Sequence, residues 1–114
     1  MMGDAAATES LRSYKDGGSG SQLIAIAYYN WAVGLCGKGE LERSETACQN
    51  AIDYVPGNIR AWVLWSVIVG ELKREEQARQ IMAHVRQLVV DERSIPELIE
   101  EAERTVGAHL HQRY

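Results

Sequence analysis

Shifted by 34 residues, the middle of this chain falls onto itself. Tyr28 lands on Trp62, Trp31 on Trp65 and Ala32 on Ser66. Leu35 lands on Val69, Ser44 on Ala78, Cys48 on Met82 and Ala51 on Val85. Bulky residues meet apolar ones, and small residues mostly meet small ones. Inside each unit the steps are of three and four residues, which gathers these positions on helix faces. A unit repeated at this period cannot bury its apolar face alone, so its copies must stack. The repeat therefore points to an all-α chain built from paired antiparallel helices. Strand-like alternation is found nowhere.

The punctuation fits. A first helix is expected over about residues 22–36, with Ser21 as its cap. Gly37, Lys38 and Gly39 stop it. A second spans about 40–55 and ends where Pro56 cannot continue the backbone ladder. The third spans about 59–72 and the fourth about 74–90. A fifth covers about 94–112, with Ser94 and Glu97 spaced as a capping box and Pro96 in the tolerant first turn. Its stripe is Ile95, Leu98, Ile99, Ala102, Val106 and Leu110. Residues 1–21 read as a flexible arm, because glycine costs about 1 kcal/mol in a helix interior and the run Gly17 to Ser21 is Gly/Ser-rich. A frayed helix over 4–15, with Leu11 and Tyr14 on one face, is the only order expected there. Residues 22–114 form one domain.

At these positions the chain resembles the tetratricopeptide repeat family. The bulky-x-x-bulky-small-x-x-bulky opening is carried by Tyr28, Trp31, Ala32 and Leu35, then by Trp62, Trp65, Ser66 and Val69. The later small-to-bulky step is Ser44 to Cys48, then Ala78 to Met82. The terminal proline is Pro56, followed by Asn58. The second unit departs from the pattern: Val90 replaces the proline and Lys73 the turn glycine. The resemblance covers about residues 25–92. It implies a right-handed stack whose first helices line a concave face, with the fifth helix as a terminal cap. Small bacterial secretion chaperones are one use of similar scaffolds. Some members clamp a C-terminal carboxylate with Lys and Asn; here Tyr29 and Val33 hold those places, so that chemistry is missing.

Face patterning locates a binding surface. The second helix is expected to bury Leu41, Ser44, Cys48, Ala51, Ile52 and Val55, and to expose Glu42, Arg43, Glu45, Gln49, Asn50 and Asp53. The fourth is expected to bury Ala78, Ile81, Met82, Val85 and Val89, leaving Arg79, Gln80, His84, Arg86 and Gln87 in solvent. Both are amphipathic outer helices. The first and third are apolar all round, which calls for cover on two sides. With Trp62, Trp65, Ser66 and Val69 toward the repeat core, the concave groove falls to Ile26, Tyr29, Asn30 and Val33 of the first helix. The third helix adds Arg60, Val63, Val67 and Glu71. An open groove of this kind suits an amphipathic helix or an apolar segment. Two occupants are open: another protein, or this chain itself through a second copy as a homodimer or through its own terminal segment. Were the groove open, Val63→Glu with Val67→Glu would leave a folded protein that loses its partner.

Other chemistry finds little support. The formal net charge is -4 with mixed signs and no basic patch, which argues against nucleic acid. Cys36 and Cys48 fall at apolar helix positions and read as buried free thiols rather than a reactive or metal-bound pair. His109 and His111, two apart, do not share a helix face. The acidic run Glu97, Glu100, Glu101 and Glu103 matches the positive end of its helix and reads as solvated, or else as an acidic rim for a basic partner. No phosphate-cradling loop is present. The apolar stretches 23–37 and 61–70 are short of the ~20 residues that span a bilayer, and no secretory signal is visible. The expectation is a cytoplasmic protein-interaction module without membrane insertion, catalytic residues, metal or cofactor.

Overall fold

A computed structural model describes residues 19–111. The expected arm up to residue 18, and the side chains of His109, Leu110 and His111, lie outside the described residues. Among the described residues, five α-helices follow in order: α1 (Ser19–Gly37), α2 (Leu41–Tyr54), α3 (Ile59–Glu71), α4 (Glu75–Leu88) and α5 (Ile95–His111). A 3-10 turn, Glu92–Ser94, precedes α5. The described residues contain no strand.

The 34-residue period is written in the backbone. At the end of α1, Gly39 N–H donates to Cys36 O (2.9 Å) and Glu40 N–H to Leu35 O (2.9 Å). At the end of α3, Lys73 N–H donates to Gly70 O (3.0 Å) and Arg74 N–H to Val69 O (3.0 Å). Each bond recurs 34 residues on, and together they form the paired helix stop that a left-handed residue allows. That residue is Gly39 at φ 77° and Lys73 at φ 68°. The helices that follow also begin and end in register, Leu41–Tyr54 against Glu75–Leu88. Val55 N–H closes on Ala51 O as Val89 N–H closes on Val85 O, both at 3.0 Å.

The pairs pack as the apolar spacing requires. α1 lies on α2, α3 on α4, and α2 on α3. Leu41, Ser44, Ala47, Cys48 and Ala51 form the buried stripe of α2. Ser44 sits where α1 approaches closely: its hydroxyl donates to Ala32 O at 2.8 Å and lies 3.1 Å from the Cys36 sulfur. Only a small residue leaves room there. In α3, Asn58 caps the first turn, its Oδ1 accepting from Ala61 N–H at 3.3 Å.

Several details differ from the sequence expectation. α1 begins at Ser19 rather than Gln22, taking in Gly20 and a buried Ser21. Ser94 does not open a capping box. Its hydroxyl turns back to donate to Asp91 O at 2.8 Å, and Asp91 Oδ1 accepts from Arg93 N–H at 3.0 Å. Glu45 is not a solvated residue of α2. Its side chain is only 12% exposed, because it accepts from Trp65 Nε1–H at 2.8 Å and pairs with Arg74 at 2.6 Å. His84 is half-buried, with its ring 4.4 Å from that of Trp62. The tryptophans, too, are displaced from the expected core. Trp62 and Trp65 are half-buried, while Val63, Leu64, Ile68 and Val69 are the enclosed side chains of α3.

The last helix departs most. As a terminal cap on the stack, α5 would extend the series past α4. Instead it packs against α3 and α1, the first helices of both pairs. The turn at Glu92–Ser94 makes this reversal, and it has no counterpart 34 residues earlier, where Asn58 leads directly into α3.

Candidate functional site

α5 lies across one face of α1 and α3. Ala102 and Val106 are buried in the same apolar cluster as Val63, with Tyr29, Val33, Val67, Leu98 and Ile99 packed around them. The expected groove residues Tyr29, Val33, Val63 and Val67 are thus brought together, facing a helix of their own chain. Val63 is 1% exposed, which corrects its placement on an open groove. α5 offers what the groove calls for, an amphipathic helix with a stripe at three- and four-residue spacing.

One polar junction marks this contact. The Tyr29 hydroxyl donates to Glu101 Oε1 at 3.4 Å, and Arg60 reaches the same oxygen at 3.8 Å. Three helices meet at one carboxylate oxygen. Burial, followed by the Glu101 charge, pushes the Tyr29 phenol up to about 12, although Arg60 pulls it back. The Arg60 and Glu101 side chains are 62% and 38% exposed, so their attraction is screened and weak. The junction fixes position more than it holds the helix down. Glu101 escaped the sequence reading because it falls within an acidic run. Its place beside Ala102, one residue off the apolar stripe, was the available signal.

The remaining expected residues stand apart from the covered strip. Ile26 is 50% exposed and, with Arg60 and Leu98, lines a shallow cleft of about 490 Å³ at one end of it. Asn58 and Gln22 add the polar part of that cleft. Asn30 and Glu71 are exposed.

Both cysteines are free and fully enclosed. Burial pushes both thiols up, Cys48 further than Cys36, whose sulfur keeps the Ser44 contact. Among the described residues, no group of three or more His, Cys, Asp or Glu side chains could hold a metal ion. No helix of the described residues is long and apolar enough to cross a membrane. In comparisons with known proteins, no family model, curated protein or solved structure matches this chain.

Proposed function

We propose that this chain is a non-catalytic, tetratricopeptide-like interaction module whose concave face holds its own last helix. One observation carries this reading: α5 lies across α1 and α3, and Val63, Ala102 and Val106 share one buried cluster. Such a protein is a closed structural scaffold, and it meets other molecules through surfaces other than the covered strip. The 34-residue recurrence of the helix stops supports the family resemblance. Cytoplasmic residence belongs to the same proposal.

Amide hydrogen exchange tests it. The α5 amides should exchange as slowly as those of α1 and α3, and an apolar dye should find no groove on the native protein. Fast exchange confined to 95–111 together with dye binding would instead favour an adaptor or small chaperone that lends its groove to a partner's helix. The weakness of the Tyr29–Glu101–Arg60 junction is the feature that favours this second reading.

A further inference from the structure

α1 runs for 19 residues without one charged side chain. A helix at a protein surface ordinarily turns a charged or polar face to water. This one turns out Leu23, 68% exposed, and Trp31, 51% exposed, with an exposed Ala27 between them.

The repeat shows what this side of the helix is for. Ala27, Trp31 and Gly34 correspond to Ala61, Trp65 and Ile68 of α3. Ala61 and Ile68 are fully buried, and α2 is the preceding helix that packs there. α2 runs antiparallel to α3. Glu45, near its start, reaches Trp65 and Arg74 toward the far end of α3, while Ala51 shares a cluster with Ala61 near the beginning. The same side of α1 is a seat for an antiparallel helix, and no described helix occupies it.

Gly34 gives a second, separate sign. It stands in the last turn of α1, ahead of the helix stop, at a helical position where glycine gives less stability than alanine. A Cβ built on it meets nothing within 4 Å. The described fold gives no reason for a glycine here, whereas the close approach of another helix does.

The occupant is indicated by the pattern itself. Gly20, Leu23, Ala27, Trp31 and Gly34 read the same from both ends about Ala27: small, bulky, small, bulky, small. An antiparallel copy with its two-fold axis at Ala27 sets Leu23 of each chain against Trp31 of the other, and Gly20 against Gly34. A surface that pairs with itself must not carry an unbalanced charge at the axis, and this helix carries none. We propose that a second copy of this chain seats antiparallel on α1, making an isologous homodimer about Ala27. The proposal goes beyond the reading of the concave face, which lies on another side of α1, and either can fail alone.

Light scattering of the full chain across micromolar concentrations should give the dimer mass. Ala27→Glu, at an exposed position, should leave helicity unchanged and give a monomer, because two carboxylates meet at the axis. Ala27→Lys should do the same. Mixing the two variants in equal amounts should restore the dimer mass, as opposite charges then meet. Gly34→Ala should raise the thermal midpoint of the Ala27→Glu monomer, yet weaken the dimer of the otherwise unchanged chain several-fold. A monomer at every concentration would overturn the proposal and give the seat to residues 1–18 or to a different protein. A dimer that survives Ala27→Glu, or a mixture that stays monomeric, would overturn the two-fold at Ala27. Hydrogen exchange of α5 in the Ala27→Glu monomer reports on the concave face separately.

Discussion

Gly39 and Lys73 hold the same left-handed turn 34 residues apart, yet only one of them is free of a Cβ. The left-handed conformation costs a non-glycine residue about 1–2 kcal/mol. The hydrogen bonds of the two turns match, so the second pays this cost for the same geometry. Lys73→Gly should therefore stabilise the protein by about 1 kcal/mol, and Gly39→Ala should destabilise it by a similar amount. Urea unfolding midpoints check both, and opposite signs are required.

Val63 was placed by its sequence pattern on an open groove, where a carboxylate would be harmless to folding. At 1% exposure under α5 it is core. An unpaired buried charge costs about 3–5 kcal/mol, a large part of a small domain's stability. Val63→Glu should leave the chain mostly unfolded by circular dichroism. Val67→Glu, at a half-buried position, should lower the unfolding free energy by about 1 kcal/mol and keep the fold.

Glu45 links α2 to the far end of α3. Burial alone would raise its carboxyl, but the hydrogen bonds from Arg74 and Trp65 and the Arg74 charge together bring it below the usual value. A carboxyl lowered in the folded state contributes stability that is present above its unfolded value and lost as pH falls through the folded one. Glu45→Gln keeps an acceptor for Trp65 and removes the charge. Its stability should thus fall less steeply than that of the unchanged chain on acidification below the ordinary glutamate range. Thermal midpoints measured across that range check it; parallel acid limbs would mean that Glu45 contributes no such dependence.

Cys36 and Cys48 are fully enclosed, and burial raises both thiols. The thiolate is the reactive form, so both need an opening event before they react. A thiol reagent at pH 8 should label neither in the native protein at the rate of a free peptide thiol. Labelling should become rapid for both across the urea transition. Rapid labelling of the native protein would contradict their enclosure.

The repeat, the helix order and the end of α2 were legible because they depend on local signals: proline, glycine and three- and four-residue spacing. The covered strip was legible as a surface but not as a closed one. Tyr29, Val33, Val63 and Val67 read as apolar positions needing cover, and periodicity cannot say which helix arrives. That depends on the Glu92–Ser94 turn, whose signal in the sequence resembled an ordinary helix cap at Ser94. The tryptophans were misplaced for a related reason. Pattern reading ranks residues by size and apolarity, but Trp62 and Trp65 also carry N–H groups that find acceptors at Pro56 O and Glu45 toward the protein's edge.

The fold-back of α5 also changes how the chain can come apart. In a simple helical repeat each unit touches only its neighbours, so an end unit can fray while the others persist. Here α5 touches both α1 and α3, and the bond from Tyr29 to Glu101 spans 72 residues of sequence. Neither helix pair can peel away without also breaking the seat of α5. The two pairs are bound into a single cooperative unit, which should melt all at once rather than pair by pair.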